Sequence, residues 1–173
     1  MAHIIEPAAS GRAKCRGCGQ AIAKGELRFG ERLPNPFADD GDMTLWFHIL
    51  CAAYKRPESI AEVIDDSGVE DEASLKKIIE FGIEHRRLAR VNGIQKAPSA
   101  RARCRSCREP IAKGDWRIPL VYFDDGMFSA SGYVHVGCVT EYFETVDIVD
   151  RILHFESETF TEEDIAEFRA LIS

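Results

Sequence analysis

Long apolar runs are missing from this chain. No stretch approaches the roughly 20 apolar residues that a membrane span needs. The opening Met1-Ala2-His3-Ile4-Ile5-Glu6-Pro7 breaks after two isoleucines, so no secretory apolar segment is expected. Cysteine is scarce as well, six in 173 residues, and none stands outside one duplicated pattern. Each copy of that pattern has three cysteines, an odd number, so internal disulfides would strand a thiol in each; an intracellular, reducing setting is expected instead. There is no glycine-rich nucleotide-binding loop. His3, His85 and His154 have no companion ligands nearby in sequence and are expected not to bind metal. Positive charge is not in surplus either: 22 Lys/Arg stand against 29 Asp/Glu, a net charge of −7 that argues against indiscriminate adhesion to nucleic acid.

What is present is the pattern itself. Cys15-x2-Cys18 is followed after 29 residues by His48-x2-Cys51, and Cys104-x2-Cys107 after 27 residues by His135-x2-Cys138. Three thiolates and one imidazole complete a tetrahedral Zn²⁺ site and leave no position open for substrate or water, which predicts two structural zinc ions per chain. Modules of roughly 50–60 residues bury too little apolar surface to be secure without such help. The charge is also uneven. Residues 144–173 hold nine acidic and two basic side chains, so the whole surplus lies in the tail, and both zinc segments are slightly basic.

The duplication extends beyond the ligands. Gly11-Arg12-Ala13-Lys14-Cys15 parallels Ala100-Arg101-Ala102-Arg103-Cys104, Ile22-Ala23-Lys24-Gly25 recurs as Ile111-Ala112-Lys113-Gly114, and Leu27-Arg28-Phe29 as Trp116-Arg117-Ile118, all offset by 89. The histidine ends are offset by 87, so a two-residue contraction falls in the long segment before the histidine, the mark of an exposed loop. Each copy reads as a Cys-x2-Cys knuckle, a Lys-Gly turn and a strand (Glu26–Leu33, Asp115–Phe123). A loop, a second strand with the histidine (Leu45–Leu50, Tyr133–Val136) and a helix from the last cysteine complete it. Leu75, Ile78, Ile79 and Ile83 predict an amphipathic helix of about five turns between Asp71 and Gly93. Phe160-Thr161 through Asp164-Ile165 predicts a capped C-terminal helix. The expected architecture is α+β: a first module over 1–58, a helical connector over 59–96, a second module over 97–143 and an acidic helical tail over 144–173.

The run Gly-Arg-Ala-x-Cys-x2-Cys, the Ile-x-Lys-Gly turn, the Leu-Arg strand and Trp-x-His-x2-Cys resemble the PARP-type zinc finger. That module occurs as a tandem pair in the nuclear poly(ADP-ribose) polymerase that senses DNA breaks, and singly in a DNA ligase. The resemblance covers residues 8–56 and 97–142; the second copy departs in its shorter gap and in having Tyr133 where the first has Trp46. It implies binding of DNA strand breaks (nicks, gaps, ends) in repair or damage signalling, beside a separate repair enzyme, in the nucleus or in DNA-associated cytoplasm or nucleoid. Phosphate contacts are implied for Arg12, Arg28, Arg101 and Arg117, with Lys14, Arg16, Arg103 and Arg105 as helpers. Apolar stacking on an exposed base pair is implied for Phe37 and Met43 in the first loop and Met127 and Phe128 in the second. The family's transferase domain has no counterpart, so a non-catalytic protein is expected.

Each residue also has a plainer role. Arg28 and Arg117 fit solvated strand positions, Phe37 a loop pin, Trp46 and Tyr133 core packing, the Arg86-Arg87-Arg90 cluster a solvated helix face with an accessory phosphate contact as the alternative. The tail reads as a helical buttress, or as a docking arm if the protein is an interaction adaptor that does not bind DNA. Thiol chemistry at Cys-x2-Cys is the weakest reading, because a closed four-ligand site suppresses it.

Overall fold

The computed structural model describes residues 2–37, 39, 41–156 and 160–172. Packing divides the chain into two units, Met1–Glu84 and His85–Ser173. The division falls within the segment expected as a connector.

The first unit opens with a strand that sequence periodicity did not suggest, β1 (Ile4–Pro7). It lies antiparallel to β2 (Leu27–Pro34), which pairs on its other edge with β3 (Asp42–His48). Ile5 sits opposite Phe29, and Phe29 opposite Phe47. Because side chains alternate across a strand, Phe29, Leu45 and Phe47 turn to the core and are buried, together with Ile22, Ala52 and Ile60. Each fully buried aromatic of this kind is worth about 1.5–3 kcal/mol. The opposite face carries Arg28, Gly30 and Trp46. Gly30 is required there, since a Cβ would come within 2.7 Å of the Trp46 ring. The β3 strand ends earlier than predicted because the chain turns at His48 into α1 (Ile49–Lys55), which puts Cys51 in its first turn.

Two further helices, α2 (Pro57–Ala61) and α3 (Glu72–Glu84), pack against α1. The predicted five-turn helix is therefore shorter, stopping at Glu84 rather than Gly93. A 3-10 turn, Arg86–Arg90, follows in the second unit, and Ile83 is exposed rather than part of the buried stripe. The Asp71 carbonyl accepts from Leu75 N at the helix start.

The second unit repeats the three-stranded plan with β4 (Gln95–Lys96), β5 (Trp116–Asp124) and β6 (Met127–His135). Here the segment expected as a loop is a hairpin. Asp125 and Gly126 both take positive φ, 49° and 79°, and Asp124 pairs directly with Met127. That is the two-residue Asp-Gly turn whose twist suits paired strands. A short 3-10 turn, Val136–Cys138, leads into α4 (Val139–Phe143), then α5 (Val149–His154) and α6 (Glu162–Leu171). The last helix begins at a capping box, Thr161 and Asp164 each bonding the other's backbone N–H. Phe168 on α6 is fully buried against Trp116, and Glu167 accepts from the Trp116 indole at 3.1 Å. The acidic tail thus contributes Ile148, Ile152 and Phe168 to this unit's core.

Candidate metal centres and nucleic-acid interface

The knuckle that begins each site is made by backbone. The Cys15 carbonyl accepts from Gly19 N at 2.8 Å while Cys15 N reaches Gln20 O, and the same pair of bonds joins Cys104 with Arg108 and Glu109. The tight turn puts Gly19 at φ 79° and Arg108 at φ 69°. Sulfur then faces donors. Gly17 N and His48 N both point at Cys15 Sγ (3.3 Å each), and Ser106 N and His135 N at Cys104 Sγ (3.3 and 3.4 Å).

The two predicted ligand sets come together, Cys15, Cys18, His48 and Cys51 in one and Cys104, Cys107, His135 and Cys138 in the other, all ligand atoms lying within 4.8 Å of one another. Cys18 Sγ and Cys51 Sγ stand 3.3 and 3.8 Å from His48 Nδ1; Cys107 and Cys138 stand 3.4 and 3.8 Å from His135 Nδ1. Those are the edges of a tetrahedron around an ion bound at about 2.0–2.3 Å. Each imidazole is aimed by its other nitrogen: His48 Nε2 is 3.2 Å from Ala21 O, His135 Nε2 3.3 Å from Pro110 O. This is the outer-shell bond that fixes a ligating tautomer.

The electrostatics also suit a cation. A hydrogen bond from the Cys51 thiol holds Cys15 down to about 4 against its burial, helped by backbone N–H groups, while Cys51 itself is pushed up by that shared proton and by burial. In the second set burial raises Cys104, but N–H donors from Cys107, His135 and Ser106 outweigh it and bring it to about 7; burial and the neighbouring Cys104 push Cys138 up to about 12. Thiols that cannot all ionise together without a positive ion among them are the donor chemistry of Zn²⁺. Three thiolates and a divalent ion leave one net negative charge. Beside the first site stands Lys55, almost fully buried, donating to Gly17 O at 3.0 Å; burial pulls its pKa down to about 8, opposed by the Cys51, Cys15 and Cys18 thiols.

The implied DNA residues fall into distinct settings. Arg12 and Arg101 are exposed before the first cysteine of each set. Arg28 and Arg117 are not solvated strand residues, being only 8% and 5% exposed. Each guanidinium stacks on an aromatic ring, Arg28 on Trp46 at 3.5 Å and Arg117 on Tyr133 at 3.6 Å. Trp46 and Tyr133 are consequently half-buried on the sheet's outer face, not core residues as expected. The first strands supply the partners: Glu6 pairs with Arg28 at 3.3 Å, and Gln95 takes both Nε and Nη2 of Arg117 at 2.9 and 2.6 Å. Sequence reading missed Glu6 and Gln95, although they share the 89-residue offset and extend the repeat to its first strand.

Of the stacking candidates, Phe37 is a loop residue and 88% exposed, its backbone N bonded to Asn35 Oδ1. Met43 lies on β3 opposite Leu33, not in a loop. Met127 and Phe128 likewise begin β6. Met127 is 58% exposed, whereas Phe128 packs on Phe123 with ring centroids 4.9 Å apart.

Two closed Cys3His sites of this geometry make the chain a structural zinc-finger protein. Residues 6–82 match the family model described as "Poly(ADP-ribose) polymerase and DNA-Ligase Zn-finger region". Among curated proteins it is similar to Polynucleotide 3'-phosphatase ZDP of Arabidopsis thaliana, 30% identical over 186 aligned residues (91% of this chain, 26% of the relative). It is also similar to a Poly [ADP-ribose] polymerase of Sarcophaga peregrina (30% over 160 residues; 79% and 16%) and Poly [ADP-ribose] polymerase 1 of Gallus gallus (32% over 133; 67% and 13%). The chain spans about a quarter or less of the length of these relatives. Residues 6–82 are thus a PARP-type zinc-finger region, and the second unit repeats its Cys3His pattern; fingers of this type are zinc-dependent DNA-binding modules. No helix among the described residues is long and apolar enough to cross a membrane.

Proposed function

We propose that the chain binds DNA at strand breaks, gripping backbone phosphate with each finger and covering exposed base pairs with apolar side chains. The observation that carries this reading is the recurrence of one buried arginine, Arg28 and Arg117, stacked on the aromatic residue two positions before the zinc histidine in both units. A cation already stripped of water and held by a ring loses little conformational freedom when its free edge meets phosphate. Phosphate contact supplies affinity without sequence preference. Phe37 and Met127 stand free to lie on an unstacked base pair, worth about 1–3 kcal/mol each by analogy with single-strand binders. The two grips are unequal: Glu6 neutralises Arg28, but neutral Gln95 leaves the charge of Arg117 uncompensated, so the second finger contributes the stronger pull. The protein acts as a non-catalytic, intracellular damage mark that a separate repair enzyme reads.

Fluorescence anisotropy with nicked, gapped, blunt and closed circular duplexes tests this. Breaks should bind more tightly than closed circles. With about six phosphates neutralised, the log–log salt slope should be near −5. Arg117→Ala should flatten that slope by about one and cost more affinity than Arg28→Ala. Equal binding to closed circles sinks the break reading.

The adaptor alternative rests on the acidic tail, and the structure changes how it must be tested. Deleting residues 144–173 would remove the buried Ile148, Ile152 and Phe168, so lost binding would report an unfolded second unit rather than a lost docking arm.

A further inference from the structure

One cluster in the second unit is not used by either the zinc site or the sheet-face arginines. Four arginines line a cleft of about 480 Å³: Arg87 and Arg90 from the 3-10 turn, Arg105 and Arg108 from the knuckle. The only acidic side chain on its lining, Glu141, makes no ion pair with any of them, and among the described residues none of the four is within ion-pair distance of a carboxylate. Like charges gathered in a cleft without counter-charges focus the field there and draw anions to it.

The cleft is also built. Tyr142, buried, holds two of the arginines: its carbonyl accepts from Arg87 Nη1 at 3.0 Å and its hydroxyl takes Arg90 Nη1 at 2.9 Å. Arg105 is fixed through Nε to Ser131 O at 3.0 Å, and Gly132 beside it takes φ 99°, a conformation that L side chains rarely adopt. Arg108 occupies the left-handed position of the knuckle, at φ 69°, where the first unit has Gly19 at φ 79°. A non-glycine residue held in that conformation is strained, and such strain concentrates at functional sites. Among the described residues the first unit has nothing equivalent: Gly19 lacks a side chain, and Lys55, at the position of Tyr142 in the repeat, turns inward to Gly17 O.

We infer that this cleft takes a phosphomonoester, and that within the break-binding reading, on which this rests, it captures the phosphorylated end of a broken strand. Fork-shaped guanidinium donors match phosphate oxygens in pairs. A terminal monoester near neutral pH carries about −1.5 to −2 charge and three free oxygens, against one charge and two on a backbone diester. Four cations are better matched to the former. The volume suits a mononucleotide rather than a bare ion, since nucleotide-sized ligand sites run from about 300 Å³ upward.

The test uses the full zinc-loaded chain. Nicked and recessed duplexes are compared by anisotropy with the end bearing 5′-phosphate, 3′-phosphate or hydroxyl, and dAMP and inorganic phosphate are titrated alone by calorimetry. Phosphorylated ends should bind about tenfold more tightly than hydroxyl ends, a preference of the size expected for one or two charge-assisted bonds. That preference should fade as pH drops through about 6, where the monoester takes up its second proton. Arg108→Gly, which restores the residue that the first knuckle uses, should keep two zincs and hydroxyl-end binding while cutting the preference to below about twofold; Arg90→Gln should do the same. Equal binding of phosphate and hydroxyl ends, with no dAMP binding, overturns the inference while break binding stands. Loss of hydroxyl-end binding in both variants also overturns it, because the cleft would then be part of the general backbone grip. If broken and closed DNA bind alike yet dAMP binding is present and is lost in Arg108→Gly, the break reading fails and the phosphomonoester cleft survives as a site for free nucleotide.

Discussion

Swapping a buried ion pair for the residues that its own repeat uses makes a sharp prediction. Glu31 on β2 is completely buried, and its carboxylate takes Arg56 Nε at 3.0 Å and Nη2 at 2.8 Å, together with the Ser59 hydroxyl. At the offsets of the repeat the second unit has Leu120 and Phe143 in these places, 2% and 1% exposed. Removing one partner of a buried pair strands the other, at about 3–5 kcal/mol. The two single changes should differ, because the Arg56 side chain keeps 25% exposure and can turn toward water, whereas Glu31 keeps none. Arg56→Phe should therefore cost about 3–5 kcal/mol and Glu31→Leu nearer 2–3. The double variant should return to within about 1 kcal/mol of the parent or exceed it, because an apolar pair of similar volume escapes the desolvation penalty. For a unit of this size each kcal/mol moves the midpoint by about 4–8 °C, so the singles are readily resolved. Peptide-resolved hydrogen exchange over β2, β3 and α1 in urea, with the second unit as internal control, gives the three free energies. Additive losses in the double variant would refute the reasoning, as would an Arg56→Phe that is milder than Glu31→Leu.

Metal removal should be ordered: in the first site Cys15 and Cys51 are both buried, while the second exposes Cys107, so a chelator followed by a zinc-sensitive dye should extract the second ion first. Loss of either ion should unfold its unit, since structural zinc supplies about 10–16 kcal/mol in small modules. Thr161→Ala removes half of the capping box and should lower the second unit's stability by about 1 kcal/mol in thermal melts, leaving the first unchanged. Gly126→Ala, at the second left-handed position of the hairpin turn, should cost more than 1 kcal/mol and lower protection across β5 and β6 without changing zinc content, about what strain at positive φ implies.

The metal centres were legible because covalent spacing nearly decides them. Cys-x2-Cys paired with a distant His-x2-Cys, twice over, brings three thiols and an imidazole to each site, so eight ligands could be named from spacing alone. The capping box at Thr161 and the Lys-Gly turns were equally local. Asp125-Gly126 was local too, but its turn signal was read as part of a loop, which misplaced Met127 and Phe128. Other features have no local signature. β1 and β4 exist because β2 and β5 offer them a free edge, and they bring Glu6 and Gln95 to the two arginines. Whether Arg28 would be solvated or locked against Trp46 depended on which face of the sheet each strand presented. The arginine cleft joins residues 87–90 to 105–108 and 131–142, groups that only packing brings within reach of one another. Short-range covalent geometry therefore set the ligands and turns from sequence alone. The burial of Arg28 and Arg117, the inward Glu31 and the clustering of four unpaired cations were decided by tertiary structure, because electrostatic and packing energies depend on distances through space, which residue order does not encode.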